Sequence, residues 1–102
     1  MNGVLIFEGG SACLEPRVEA SDVVQNLPDI YLAKAVRGAL ITIEAASIRV
    51  AFGVDPGVNP QRGHLLEAGD VLEVRGSALL RRLRFINATP GSTAVLQVTV
   101  LV

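Results

Sequence analysis

The chain contains no tryptophan, one cysteine, one histidine and few aromatic residues of any kind. Each shortage removes a class of function. Cys13 alone cannot close an internal disulfide, so the fold is expected to hold without cross-links, as in cytoplasmically made proteins. With no second thiol and no histidine near it in the sequence, Cys13 reads as a small apolar residue. His64 has no partner set either. A zinc or iron site draws on several His and Cys ligands, so no metal is expected. A His-based triad needs a placed nucleophile and acid, and Ser77, Ser92 and Asp70 lie in no nucleophile-elbow context. The glycines at Gly9-Gly10 and from Gly53 to Gly57 lack the spacing and following lysine of a phosphate cradle. Asp55, Asn59 and Asp70 do not match a dense calcium loop, and turn formation accounts for each. No catalytic residue and no cofactor is therefore expected, and the protein is read as a non-enzyme.

Long apolar runs are also missing. Arg, Glu or Asp interrupts every strand-like segment, and nothing approaches the roughly 20 residues that cross a bilayer, so no membrane location is expected. The opening Met1-Asn2-Gly3-Val4-Leu5-Ile6-Phe7-Glu8 lacks a basic flank and does not read as a secretory signal. Asn87-Ala88-Thr89 matches a glycosylation sequon, but Pro90 follows it, and we read the match as chance. Even so, 50% of the 102 residues are hydrophobic and the mean hydropathy is +0.46. A domain of this length buries only about 60–65% of its unfolded surface, which predicts apolar surface left over for contacts between subunits.

The net charge of −1 argues against a nucleic-acid partner, but the charge is unevenly spread. Residues 1–30 carry Glu8, Glu15, Glu19, Asp22 and Asp29 against Arg17 alone, whereas Arg75, Arg81, Arg82 and Arg84 cluster later. Two readings stay open: solvated surfaces, or an acidic arm and a basic face that attract each other between neighbouring copies. Arg81-Arg82-x-Arg84 lacks the aromatic platform that nucleic-acid binding uses.

What is present is β periodicity. Ile41 and Ile43 alternate with Thr42 and Glu44, and Ile48, Val50 and Phe52 with Arg49, Ala51 and Gly53. Leu72 and Val74 alternate with Glu73 and Arg75, Leu83 and Phe85 with Arg82 and Arg84. Leu96, Val98, Val100 and Val102 alternate with Val95, Gln97, Thr99 and Leu101. Apolar residues on one face and mostly polar ones on the other predict antiparallel strands over a core. Asp55-Pro56-Gly57 and Asn59-Pro60 predict a loop over residues 54–63, Ala68-Gly69-Asp70 a tight turn, and Thr89-Pro90-Gly91-Ser92 the turn of a last hairpin. Ser77 to Leu80 reads as one helical turn with Ser77 as N-cap. The predicted fold is all-β, an antiparallel β-sandwich or jelly roll with an extended N-terminal arm. Residues 1–37 form that arm and need a partner to bury their apolar side chains. Val4 to Phe7 reads as a strand, and Asp29 to Arg37 allows either a helix, through Ile30, Ala33 and Val36-Arg37, or the favoured strand entering Gly38. Residues 38–102 form the sandwich.

The run Ser47-Ile48-Arg49-Val50-Ala51-Phe52-Gly53-Val54-Asp55-Pro56 is followed by Gly63-His64-Leu65-Leu66-Glu67-Ala68-Gly69-Asp70-Val71-Leu72. With Leu83-Arg84-Phe85-Ile86-Asn87-Ala88 and the strand from Ala94 to Val102, this succession resembles small β-sandwich structural proteins of tailed bacteriophages, among them capsid decoration or cement proteins. The resemblance covers roughly residues 38–102. It implies a virion protein on the capsid surface that binds the major capsid protein as a homo-oligomer, a trimer favoured, and stabilises the shell without chemistry. The interface would then use Val4, Leu5, Ile6, Phe7, Tyr31, Arg81, Arg82 and Arg84. A head-fibre base or tail accessory of the same particle is an alternative. Gly63-His64 to Gly69-Asp70 is also similar to a strand pair of cupins, whose metal centre needs several histidines, so that route leaves only a metal-free jelly roll that binds a ligand such as sugar.

Overall fold

Alternating aliphatic strands bury one face each, and two sheets laid face to face are the simplest way to hide them. The computed structural model describes residues 11–12, 17–28 and 36–101. One sheet contains β1 (Ser11–Ala12), β2 (Arg17–Glu19), β4 (Gly38–Glu44), β9 (Val71–Arg75) and β11 (Val95–Leu101). The other contains β3 (Gln25–Asn26), β5 (Ile48–Phe52), β8 (His64–Leu66) and β10 (Leu83–Asn87). A short ribbon of β6 (Gly57–Val58) and β7 (Gln61–Arg62) stands in the β5–β8 connection, and a helix, α1 (Ser77–Arg82), links β9 to β10.

The first sheet runs β1-β11-β4-β9, with β2 beside β1 along β11, and the second runs β3-β10-β5-β8. Pairing is antiparallel and nested: β2 with β11, β3 with β10, β4 with β9, β5 with β8. Every connection between these eight strands crosses from sheet to sheet except β5 to β8. That arrangement is a jelly roll. The all-β sandwich expected from the sequence is therefore the observed fold.

The predicted alternation places the core correctly. Ile41, Ile43, Ile48, Val50, Val74, Leu83, Phe85, Leu96, Val98 and Val100 are all inside it. Several expectations need correction. Thr89 to Ser92 closes no hairpin, because β10 and β11 lie in different sheets. The 54–63 loop contains the β6–β7 ribbon, and His64–Leu66 is a strand. The helix is capped by Gly76, with no side-chain hydrogen bond from Ser77. The sandwich also begins before residue 38: β2 and β3 belong to its sheets, and Val18, Ala20, Leu27 and Val36 pack in its core. The expected strands at Val4 to Phe7 and within residues 29–37, together with Cys13 and Tyr31, lie wholly or mostly outside the described residues.

Among the described residues little apolar surface is left over: the exposed large hydrophobics are Val23, Val54, Leu65 and Leu79. Outward-facing Leu40, Ala51, Ile86 and Val95 are buried as well, although they lie outside the central cluster. Register explains it. Leu40 sits across from Glu73 and Thr99, Val95 across from Glu44 and Glu19, Ile86 across from Arg49, and Ala51 across from Arg84. The stems of such long polar side chains cover the apolar residue opposite them.

One buried polar side chain ties the loops together. Asn87, 2% exposed, donates from Nδ2 to the Ser92 carbonyl at 2.5 Å and to Asp22 Oδ1 at 3.2 Å. Its Oδ1 accepts the Ala94 N–H at 3.1 Å. Replacing Asn87 by Ala strands the Ser92 carbonyl and the Ala94 N–H, and each unsatisfied buried group costs about 1–3 kcal/mol. Urea denaturation of Asn87→Ala should show a loss of about 2–4 kcal/mol, against less than about 1 kcal/mol for exposed Thr93→Ala.

The β4–β5 turn holds the described non-glycine residue with positive φ. Ala45 has φ 68°, and the Ala46 N–H donates to the Glu44 carbonyl at 2.8 Å. This is a strained three-residue turn. Ala45→Gly relieves about 1 kcal/mol of left-handed strain while adding a similar unfolded-state entropy, so its unfolding free energy should stay within about 0.5 kcal/mol of the parent. Ala45→Val should lose about 1–2 kcal/mol by the same measurement.

Candidate functional site: a cationic groove at one end of the sandwich

Because β5 and β10 pair in register, Arg84 lies opposite Ala51, and both face away from the core. From Phe52 the chain turns through Gly53, whose N–H donates to the Arg82 carbonyl at 2.9 Å. It then forms the ribbon and returns at Gly63. Two arginines hold this connection. Arg84 Nη1 meets Asp55 Oδ1 at 2.8 Å, and Arg49 Nη1 donates to the Gly63 carbonyl at 3.2 Å. Both pairs are solvent-facing, so each contributes under about 1 kcal/mol, and their effect is to set position.

Gly63 is where the connection must press against the sheet. Its φ is +92°, and a Cβ there would stand 2.5 Å from the Val50 carbonyl oxygen and 3.3 Å from Pro56 Cβ. Only glycine fits such a conformation and approach. The close return leaves an open groove of about 710 Å³ lined by Ala51, Phe52, Val54, Asp55, Arg62, Gly63, His64 and Arg84. Arg62 and His64 flank Gly63 on its rim, and both are exposed.

The groove's chemistry is that of an anion-attracting surface. It presents two guanidinium groups, an imidazole and a half-buried phenyl ring. Its one carboxylate, Asp55, is engaged by Arg84. It contains no Ser, Thr, Cys or Lys to serve as nucleophile. A second depression, around Asp22, Asn87, Gly91 and Ser92, lies at the opposite end. There the Asp22 carboxylate is occupied by the Gly91 N–H, at 3.0 Å to Oδ2 and 3.2 Å to Oδ1.

Of the interface residues expected from the sequence, Val4, Leu5, Ile6, Phe7 and Tyr31 lie outside the described residues. Arg81 and Arg82 occupy the exposed last turn of α1, and Arg84 enters the groove with an intrachain partner, Asp55. In the sequence Arg62 belongs to no motif, and His64 stands as a lone histidine. Nothing local marks them, because the ribbon and the β5–β10 register bring them beside Arg84. The considered calcium ligands are separated: Asp55 and Asn59 are in the β5–β8 connection, Asp70 at the other end of β9. Among the described residues no group of three or more His, Cys, Asp or Glu side chains is placed to hold a metal ion, and no helix is long and apolar enough to cross a membrane.

The chain matches no protein-family model, no curated protein and no solved structure.

Replacing Gly63 by Ala forces the ribbon off the sheet. The predicted cost is about 2–3 kcal/mol, with amide exchange of His64 to Leu66 accelerating more than that of β4. Hydrogen-exchange mass spectrometry reads both.

Proposed function

We propose that this chain is a non-catalytic structural protein of a tailed-phage particle, a decoration protein that binds the head shell as a homo-oligomer, with a trimer the favoured form. The observation that carries the reading is the combination of a jelly roll with a solvent-facing groove lined by Arg62, His64 and Arg84, whose one carboxylate, Asp55, is held by Arg84. Such a surface is suited to binding an acidic partner. Jelly rolls recur in viral capsid proteins, in lectins and in cupins, so the fold alone does not choose among them. The resemblance over residues 38–102 favours the virion. A sugar-binding jelly roll would use exposed aromatic rings, whereas of the described rings Phe85 is fully buried and Phe52 half-buried. A head-fibre base or tail accessory would use the same fold at another place on the particle.

In this reading the protein needs no cofactor. It acts by adding buried interface to the shell, and an area of at least about 1,000 Å² per contact is required for stable attachment. Purified protein mixed with empty phage head shells should co-sediment with them to a saturating ratio and raise the temperature at which they disassemble. Protein that stays in the supernatant at every ratio overturns the proposal.

A further inference from the structure

The nested pairing sorts the loops into two groups. At one end lie the β2–β3, β4–β5, β8–β9 and β10–β11 connections, joined by backbone hydrogen bonds. The Asn87 N–H donates to the Ser21 carbonyl at 2.9 Å, Ala88 N–H to Ser47 at 3.0 Å, and Gly69 N–H to Ile43 at 2.8 Å. At the other end lie the β5–β8 connection, α1 and the residues entering β4. There the Gly53 N–H donates to Arg82 at 2.9 Å and the Gly76 N–H to Arg37 at 2.6 Å. Strand β4, seven residues long, sets the ends about 20 Å apart at roughly 3.4 Å per residue.

Charge is sorted with them. The first end carries Glu19, Asp22, Glu44, Glu67 and Asp70, and its loops contain no Lys or Arg. Among the described residues the nearest cations are Arg17, which reaches Glu19 at 2.5 Å, and Arg49, whose Nη1 donates to the Gly63 carbonyl. The second end carries Arg37, Arg62, Arg75, Arg81, Arg82 and Arg84. Its described carboxylates are Asp55 and Glu73, held by Arg84 and Arg75 at 2.8 and 2.7 Å. The charge of the described residues is thus bipolar along the strands. Three of the exposed large hydrophobics also stand at these ends: Val23, 70% exposed, on the acidic one, and Val54 and Leu79, 63% and 40% exposed, on the basic one.

We infer that copies of this chain associate head to tail, the acidic end of one against the basic end of the next. Val23 packs toward Val54 and Leu79 at the centre, and the carboxylates and guanidinium groups form the rim, the usual layout of an apolar centre within a polar border. A second copy is the occupant because one chain carries both complementary surfaces. The contact is heterologous, so it closes into a ring where the rotation permits and otherwise extends. The inference shares with the decoration reading the premise that copies meet, and adds which surfaces meet.

Sedimentation-velocity analysis of the intact protein tests it. At about 0.02 M salt, where screening extends over some 20 Å, the weight-average mass should exceed the monomer's, and it should fall to the monomer's near 0.5 M. Two charge-reversed proteins decide the geometry. Arg62→Glu with Arg82→Glu cancels the net positive charge that the described residues give the basic end, and Glu44→Lys with Glu67→Lys cancels the net negative charge of the acidic end. All four positions are exposed, and circular dichroism checks that each protein folds. Each alone should associate about tenfold or more weaker than the parent at low salt. Mixed, they should form a one-to-one heterodimer, because one native contact is restored. The neutral pairs Arg62→Gln with Arg82→Gln and Glu44→Gln with Glu67→Gln should weaken association less. A parent that is monomeric at low salt, an oligomer indifferent to salt and to both reversals, or a mixture that yields no heterodimer overturns the inference. Shell co-sedimentation by the parent is read separately, so the decoration reading stands or falls on its own result.

Discussion

The strand on which the rest of this structure depends is β11. It is the last segment described, it is interior to its sheet, and it pairs with β4 on one side and with β1 and β2 on the other. Leu96, Val98 and Val100 fill the core from its inner face, and its backbone supplies the partners that β2 and β4 would otherwise lack. Without β11, three strands have open edges and the core lacks a wall. Nested pairing of this kind makes nearly every sheet contact long-range in sequence, so loop-closure entropy must be overcome before burial compensates it. The fold is therefore cooperative by construction, with little that is stable in parts.

Nesting also explains why the loops matter more than their sequences suggest. Connections far apart in the chain are brought to common ends, where they hydrogen-bond to one another. Asn87 shows how tightly. Its amide bridges the loop after β2 and the loop after β10, and it is the described polar residue that the core fully buries. At the opposite end the same principle builds the groove. Arg49 and Arg84 lie on neighbouring strands, and they fix a connection that contributes Asp55, Arg62 and His64. The groove's charge follows from register and loop placement together.

The functional reading draws on both ends. A protein that works by assembly needs rigid surfaces of defined charge and does not need activated side chains. The composition predicted a large apolar surplus for subunit contacts. Among the described residues, cross-strand neighbours cover outward-facing apolar side chains and a few exposed ones stand among charges. Contacts of this type depend on electrostatic complementarity for orientation and on small apolar centres for affinity. The decoration proposal and the head-to-tail inference both draw on that chemistry.

From residue 38 onward the class of fold was legible in the sequence, because strand side chains alternate with a period of two and a core selects one phase of it. Ile41, Ile43, Ile48, Val50, Phe85, Leu96 and Val98 could be assigned inward on that basis alone. Short strands without strong alternation, such as Arg17–Glu19, Gln25–Asn26 and His64–Leu66, could not, since two or three residues carry no period and their pairing partners are distant. Which strands pair, that Thr89 to Ser92 crosses between sheets, and that Gly76 rather than Ser77 caps the helix were decided by tertiary packing. The sorting of acidic and basic loops to opposite ends belongs to the same category. The sequence by itself determined which side chains seek the interior, because that preference is local and set by hydrophobicity. Only the folded chain decided which charges stand together, because that depends on where distant loops come to rest.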